Sequence, residues 1–193
     1  MNVIQLLPIG SAEAALLMNL RAGLAEQFGA RAEMLPAWRN AVFAFHPERQ
    51  QYNSSEILAQ MQARCLPAAG DASSARSPWR LLGVTSEDLY IPILTFVFGE
   101  AQVDGPCAVV STFRLRQEFY GLPGDPAMLG ERLLKEAAHE LGHTLGLAHC
   151  DDYRCVMAPS HAVEWIDLKE KKFCSKCRRQ LAKWGLRIGA SAL

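Results

Sequence analysis

Along its first two thirds the chain alternates short apolar runs with longer stretches that carry apolar residues at helical spacing. The first run predicts a strand over Asn2 to Leu7, and the Leu- and Ala-rich stretch after it predicts a helix that begins at Ser11 and reaches Phe28. The later runs predict, in chain order, a strand over Ala30 to Leu35, a hairpin arm or loop over Asn40 to Phe45, a helix over Glu56 to Cys65 capped by Asn53 or Ser54, a loop over Ala68 to Ser77, and strands over Trp79 to Thr85, Leu94 to Glu100 and Ala108 to Phe113. Strands that alternate with helices favour an α/β fold built on a layered sheet.

Two further helices are expected in the last third of the chain. Asp125 and Pro126 provide the N-cap and the first-turn residue of a helix that runs to about Leu145, where Gly146 is the natural stop. Beyond an irregular, cysteine-containing stretch, the pattern predicts a basic terminal helix over Ser175 to Leu186.

The composition is typical of a globular protein. Of the 193 residues, 50% are hydrophobic and 21% are charged, and 20 basic side chains balance 20 acidic ones. These values exclude a disordered or collagen-like chain and predict a single domain, which we divide into an N-terminal α/β subdomain over 1–146 and a C-terminal subdomain over 147–193. The formal net charge of zero provides no long-range attraction to nucleic acid or anionic lipid.

The apolar runs are too interrupted for export or membrane insertion. Gln5 and Pro8 interrupt the N-terminal run, no cationic segment precedes it, and Pro92 and Thr95 break the longest apolar stretch. We therefore expect a cytoplasmic protein without a membrane segment. In a reducing compartment the six cysteines bind metal or stay free more often than they form disulfides.

A metal-binding motif lies at the end of the long predicted helix. Residues 139–149 read HELGHTLGLAH, which fits His-Glu-x-x-His-x-x-Gly-x-x-His at every fixed position. At about 100° per residue, His139 and His143 project from one helix face and can reach one ion. Gly146 permits the sharp turn that returns His149 to the same ion as a third nitrogen ligand.

This ligand set predicts a catalytic zinc ion. Three neutral imidazoles leave a fourth position for a water molecule, whose pKa the metal lowers toward neutrality. Glu140 can act on that water as general base and pass the proton to a leaving amine. Two alternatives stay open: a catalytically silent two-zinc binding or scaffold protein, and a zinc hydrolase that acts on a non-peptide amide.

A second metal site is predicted from four cysteines in two closely spaced pairs, Cys150 with Cys155 and Cys174 with Cys177. Four thiolates form a closed tetrahedral zinc site, which stabilises structure and has no open position for chemistry. The alternative is a pair of disulfides or a redox Cys-x-x-Cys. Cys65 and Cys107 lack partners at metal spacing and are expected to be buried small hydrophobes.

The run from His139 to Cys177 resembles the archaemetzincins, a branch of the metzincin zinc peptidases. The histidine motif is shared by metzincins in general, whereas the attached cysteine pattern is peculiar to this branch. The resemblance extends upstream through 91–101 and 108–111 and covers most of the chain. It implies zinc-dependent hydrolysis of peptide bonds, with Glu140 as general base and two zinc ions per chain. It also implies a Met-turn at Met157, which in isolation would be read as a core residue.

The resemblance further implies a twisted, mostly parallel sheet of five strands, with one antiparallel edge strand above the cleft. Our candidate for the edge is the predicted strand from Thr95 to Glu100, with substrate contacts at Thr95, Phe96, Val97, Phe98 and Gly99. An edge strand can pair with an extended peptide, so the expected substrates are peptides or unstructured proteins. The alternative is an ordinary interior strand.

The remaining charged and polar residues are expected to lie on the protein surface. Eight basic residues and one acidic residue give a local charge of +7 near the C-terminus: Lys169, Lys171, Lys172, Lys176, Arg178, Arg179, Lys183 and Arg187, with Glu170. A solvated helix face, anchored by Leu181 and Trp184, is favoured over a nucleic-acid patch. His46, His161 and Tyr153 are expected to lie outside the metal site, and the protein is expected to be a monomer.

Overall fold

The computed structural model of the protein describes residues 3–11, 13–65 and 79–185. Its strands are β1 (Val3–Ile9), β2 (Arg31–Met34), β3 (Phe45–His46), β4 (Gln51–Asn53), β5 (Trp79–Thr85), β6 (Leu89–Tyr90), β7 (Gly99–Ala101) and β8 (Cys107–Ser111). Its α-helices are α1 (Ala14–Phe28), α2 (Ser54–Cys65), α3 (Pro126–Thr144), α4 (Val163–Leu168) and α5 (Ser175–Leu181). Short 3₁₀ helices span Val42–Ala44, Phe113–Leu115, Gln117–Tyr120 and Ala182–Trp184.

The main sheet has five strands in the order β2-β1-β5-β8-β7. The pairs β1/β2, β1/β5 and β5/β8 are parallel, and β7 pairs antiparallel with β8 at the edge. This architecture confirms the predicted mostly parallel α/β sheet with an antiparallel edge. A second, three-stranded sheet of β3, β4 and β6 was not predicted, because its strands are only two or three residues long and carry no clear alternation.

The edge strand is shorter than predicted. The prediction of a strand over Leu94 to Glu100 was wrong, because the β-strand spans only Gly99–Ala101. Pro92 begins a turn in which the Leu94 N–H donates to the Ile91 carbonyl. Of the predicted substrate contacts, only Gly99 therefore lies in the strand. The other four precede it: Thr95, Phe96, Val97 and Phe98.

One helix cap was predicted wrongly and one correctly. Ser11 does not cap α1, whose N-cap is Glu13, because the chain first turns at Gly10, where φ is +75°. Asn53 caps α2, since its Oδ1 accepts hydrogen bonds from the N–H groups of Ser55 and Glu56 at 3.0 and 3.4 Å. The predicted loop over 68–77, the side chain of Cys65 and Arg187 lie outside the described residues.

The two faces of the main sheet carry two hydrophobic cores. Along β8, Ala108 and Val110 point into the core shared with α1 and α3, whereas Cys107 and Val109 point into the core shared with α2. This alternation is the pleat of a strand buried on both faces. The first core continues into the segment after α3 through Val156, Met157 and Phe173, which are all buried. No described helix is long and apolar enough to cross a membrane.

Candidate metal centres

Helix α3 carries the histidine motif, and its start agrees with the sequence. The Met128 N–H donates to Asp125 Oδ1 at 2.9 Å, and Pro126 occupies the first turn. One side of α3 packs on the main sheet through Leu133, Ala137 and Leu141, which are fully buried. The histidine face is thereby held at a fixed height above the sheet.

The end of α3 is a Schellman motif. The Gly146 N–H donates to the His143 carbonyl at 2.9 Å, and the Leu147 N–H donates to the Gly142 carbonyl at 3.0 Å. Gly146 has φ +79°, a left-handed conformation that glycine adopts without strain. This turn confirms the predicted stop and reverses the chain before His149.

The three motif histidines come together. One ring nitrogen from each of His139, His143 and His149 lies within 4.8 Å of the other two. Ring centroids are 4.6 Å apart for the two helical histidines, and His149 lies 5.3 and 4.9 Å from them. His139 is buried, His143 is half-buried and His149 is exposed. The cluster therefore opens toward solvent on the side of His149.

Backbone carbonyls orient the two helical rings. The Nδ1 of His139 lies 2.9 Å from the Val156 oxygen, and that of His143 lies 2.7 Å from the Leu147 oxygen. A carbonyl only accepts hydrogen bonds, so each Nδ1 carries the proton and each neutral ring keeps a lone pair on Nε2. The two Nε2 atoms lie 3.1 Å apart, and a cation between them would relieve the repulsion of these lone pairs. Three such nitrogens fit a catalytic zinc ion.

Burial keeps these histidines neutral. It lowers the pKa of His139 well below its ordinary value, and the charges of Lys169 and His143 lower it further. Burial is also the largest cause of the lowered pKa values of His143 and His149. Neutral imidazole is the form that binds a metal ion, so the protein environment favours ligation.

Glu140 follows His139 on α3 and packs against the edge strand. It is buried, and burial, followed by the charge of Glu136, raises its pKa well above the ordinary value. Strand β7 passes against this side chain at Gly99, where a Cβ atom would overlap it. Among the described residues the Glu140 carboxylate has no hydrogen-bond partner. It is therefore free to accept a hydrogen bond from a bound molecule.

Donors from three distant segments bind the last carbonyls of α3. These bonds join Asp104 N–H to His143 O at 3.1 Å, Arg80 Nε to Thr144 O at 3.3 Å, and Trp184 Nε1 to Leu145 O at 2.9 Å. Arg80 is fully buried, and its guanidinium lies 4.8 Å from the Trp184 ring centroid. The predicted inner anchors of the C-terminal helix are confirmed for Leu181, which is buried, and Trp184. Arg80 and Asp104 carry no signal in the sequence.

Lys169 was expected on a solvated basic face and is instead buried. The residue is 3% exposed, and its Nζ lies 2.9 Å from Glu136 Oε1 on α3. The same Nζ lies 3.4 Å from the Val156 oxygen that orients His139. Lys171 pairs with Glu131 at 3.8 Å. The basic face is accordingly weaker than the sequence predicted.

The four predicted cysteines also come together. The Sγ atoms of Cys150, Cys155, Cys174 and Cys177 all lie within 4.8 Å of one another, with separations of 3.7 Å for Cys150 and Cys174 and 3.8 Å for Cys155 and Cys177. Zinc–sulfur bonds of about 2.3 Å in a tetrahedron place sulfurs about 3.8 Å apart. Burial raises the pKa of the Cys155 thiol to about 11, and a bound cation favours the thiolate form. The donors therefore fit a structural zinc ion.

Met157 packs against helix α3 at Gly142, within the histidine motif. Met157 is fully buried, and its thioether packs against Gly142, the residue that precedes His143 in the sequence. The Cys150 N–H donates to the Met157 carbonyl at 2.9 Å, which ties this turn to the residue after His149. The position is compatible with the predicted support of the histidine site.

The two remaining histidines and Tyr153 lie at or near the surface. Tyr153 is 69% exposed, and His46 pairs with Glu56 at 3.2 Å. His161 is exposed and packs edge-on against Trp165, with 5.4 Å between ring centroids. Among the described residues none of these three side chains belongs to either cluster of metal-ligating atoms.

Comparison with known proteins identifies similar sequences and structures. Residues 43–183 match the model of peptidase family M54. The chain is 41% identical to an archaemetzincin of Methanocaldococcus jannaschii over 181 residues, which cover 94% of this chain and 93% of that protein. It is 34% identical to an archaemetzincin of Thermococcus kodakarensis, over 95% of this chain and 97% of that protein.

Two crystal structures are similar over nearly their full length. One is an archaemetzincin from Archaeoglobus fulgidus complexed with malonate, with a TM-score of 0.76, 35% identity, and coverage of 92% of this chain and 99% of that one. The other is a zinc-dependent peptidase from Methanocorpusculum labreanum, with a TM-score of 0.79, 32% identity and the same coverage.

Proposed function

Because the chain belongs to peptidase family M54, the archaemetzincins, and is a zinc metallopeptidase, we propose that His139, His143 and His149 hold the zinc ion at which it hydrolyses peptide bonds. The observation that carries the proposal is the pair of Nε2 atoms 3.1 Å apart on rings whose Nδ1 protons are both donated to carbonyls. Two facing lone pairs repel each other, so this arrangement stabilises the protein only when a cation binds between them.

Glu140 is the proposed general base. When bound, zinc supplies Lewis-acid polarisation of the scissile carbonyl and of a water molecule at neutral pH. Glu140 follows His139 on α3, and its side chain packs against β7 at Gly99. From there it accepts a proton from the attacking water and returns it to the leaving amine. The chain's own contribution is to hold this carboxylate in place, shielded from bulk solvent.

The substrate is proposed to pair with the free side of β7. In an antiparallel pair, the backbone N–H and C=O groups of every second residue bond to the neighbouring strand. Those of the residues in between point to the opposite side. The Ser111 N–H donates to Phe98 O at 2.8 Å, and the Gln102 N–H donates to Cys107 O at 3.0 Å. The even-numbered residues of this stretch therefore bond to β8, and the odd-numbered ones face outward.

Because of this alternation, only some residues of the edge segment have backbone groups that can bond to a substrate. The Val97 N–H donates to the Leu89 carbonyl at 2.9 Å, so the outward side of residue 97 is already occupied. Gly99 and Ala101 make no such bond on their outward side within the described part of the chain. A peptide strand bonded to these two residues passes beside Glu140, where the bond to be cleaved would lie.

The four cysteines are proposed to bind a second zinc ion that carries no chemistry. Their closed donor set and burial support this role, and the expected content is two zinc ions per chain. The 1–146 and 147–193 parts are proposed to form one catalytic domain, because described residues from both contribute to one core.

We also infer the cellular setting and the assembly state. Four clustered, reduced cysteines suit the cytoplasm, where thiols are kept reduced. A nucleic-acid partner is not proposed, since Lys169 is buried and Lys171 is paired. The protein is proposed to act as a monomer on peptides or unstructured segments.

Metal analysis of purified protein tests the proposal. Wild-type protein and the Glu140→Ala variant are expected to contain two zinc ions per chain, and only the wild type is expected to hydrolyse a peptide library. Glu140→Ala protein with undiminished hydrolysis would contradict the role of Glu140. Wild-type protein without zinc at the histidines, after reconstitution, would contradict the site itself.

A further inference from the structure

The face of α3 that turns away from the sheet is bound to the α4 segment by charged side chains, of which Arg132 and Lys135 are buried and Asp167 is exposed. Arg132 donates to both carboxylate oxygens of Asp167 at 2.7 and 2.6 Å. Lys135 Nζ donates to the carbonyl oxygens of Ile166 and Asp167 at 3.1 and 3.3 Å. These contacts dock α4 on α3, and none of them reaches the histidines.

The Lys169–Glu136 pair differs from these contacts in burial and direction. The two side chains are 1% and 4% exposed, and their charged atoms lie 2.9 Å apart. A buried ion pair adds little net stability over apolar residues of similar volume, because both charges lose their hydration. Docking of α4 therefore does not explain why this pair is charged.

Resting on the proposed zinc site, we propose that Lys169 is a positioning residue for His139, acting through the Val156 carbonyl. Lys169 Nζ lies 3.4 Å from this oxygen, and His139 Nδ1 lies 2.9 Å from it. A carbonyl oxygen has two lone pairs, and these two donors use both. Glu136 holds the ammonium group in place from one turn of α3 before His139.

The Val156 carbonyl needs this support because no sheet or helix fixes it. The carbonyl belongs to the peptide that joins Val156 to Met157, which lies in an irregular turn. The N–H of the same peptide, that of Met157, donates to the Cys155 thiol sulfur at 3.5 Å. Rotation of the Val156 peptide would remove the acceptor that sets the tautomer and direction of the His139 ring. Partners of this kind behind a metal-binding histidine typically change metal affinity about 10- to 100-fold when removed.

The test compares Lys169→Met with a matched control, Lys135→Met. Both residues are buried lysines that donate to backbone carbonyls between α3 and the α4 segment, but only Lys169 reaches Val156. Zinc affinity is measured by titrating the loaded protein with a chromogenic chelator that competes for the ion. Zinc that the wild type releases in this titration, but that His149→Ala protein does not, is assigned to the histidine site. Lys169→Met is expected to weaken that affinity about 10- to 100-fold, and Lys135→Met to leave it unchanged.

A double variant separates positioning from folding. Lys169→Met alone leaves Glu136 buried without its partner, so a lower melting temperature is expected. Glu136→Leu with Lys169→Met removes both charges and is expected to recover the melting temperature while the zinc affinity stays low. Recovery of both, or equal affinity in the Lys169 and Lys135 variants, would overturn the inference alone. Wild-type protein that binds no zinc at the histidines would overturn the proposed function together with it.

Discussion

Gly99 on the edge strand and Glu140 on the central helix share a space that only a glycine leaves open. A Cβ atom built on Gly99 would lie 2.7 Å from Glu140 Cγ and 2.9 Å from its Oε1. It would also lie 2.7 Å from the Val109 carbonyl oxygen, which is part of the sheet and cannot move aside. The closeness of β7 to the carboxylate is therefore encoded by a missing side chain.

Gly99→Ala is expected to displace Glu140 and lower kcat/KM by about 100-fold, because a shift of about 1 Å in a reacting group has an effect of that size. Zinc content is expected to stay at the wild-type value, since Gly99 is not among the residues proposed to bind the ion. Peptide hydrolysis and metal content are measured together. Wild-type kcat/KM in this variant would contradict the placement of Glu140 against the edge strand.

Gly130→Ala on α3 provides the matched control for that substitution. A Cβ at residue 130 would lie 3.8 Å from Leu16 Cδ1, an ordinary contact. Alanine also favours the helix interior, so this variant is expected to be more stable by about 0.4–1 kcal/mol. Urea unfolding measures the gain, and activity is expected to be unchanged. A loss of stability would mean that α1 and α3 pack more tightly here than described.

Cys174→Ser is expected to lose one zinc ion and part of the activity. Cys150 directly follows His149, and Cys155 directly precedes Val156, whose carbonyl oxygen binds His139 at 2.9 Å. Loosening the cysteine cluster thus loosens two supports of the histidine site. Cys107→Ala, in the core on the other face of the sheet, is the control and is expected to keep both ions. Full activity in Cys174→Ser protein would show that the two sites are independent.

Stepwise chelation is expected to empty the histidine site first. His149 is exposed and the three-nitrogen set leaves a position open, whereas three of the four cysteines are buried and their set is closed. Hydrolysis is therefore expected to cease when one zinc ion has been removed, with the larger loss of thermal stability on removal of the second. Metal content, activity and melting temperature are followed along one chelator titration. Activity that survives until the second ion leaves would reverse the assignment of the two sites.

Trp184→Phe is expected to destabilise the protein by about 1 kcal/mol, because it removes the indole donor that binds the Leu145 carbonyl at 2.9 Å. Trp165→Phe is the control, since Trp165 is 50% exposed, and its expected effect is below about 0.5 kcal/mol. Denaturant unfolding of the two variants gives the comparison. Equal stabilities would mean that the end of α3 is held by its Schellman motif without the indole.

The local and short-range features of this protein follow from neighbouring residues along the chain. The Asp125 cap, the stop at Gly146 and the ligand spacing over 139–149 are properties of neighbouring residues, because helix geometry converts sequence spacing into direction. The spacing within each cysteine pair is also a short-range property, so the cysteine site and the family resemblance could be predicted from the sequence. The resemblance also implied the antiparallel edge, but not its length, which depends on the turn at 91–94 and on the hydrogen bond from the Val97 N–H to the Leu89 carbonyl.

The support of the histidine site depends instead on contacts between segments that are distant in sequence. Lys169 looks like one more basic residue in the sequence, yet it lies buried against Glu136, which is 33 residues away along the chain. Arg80 likewise binds the Thr144 carbonyl across 64 residues. Burial and hydrogen bonding between distant segments depend on how the elements pack, and no local pattern of side chains records that packing.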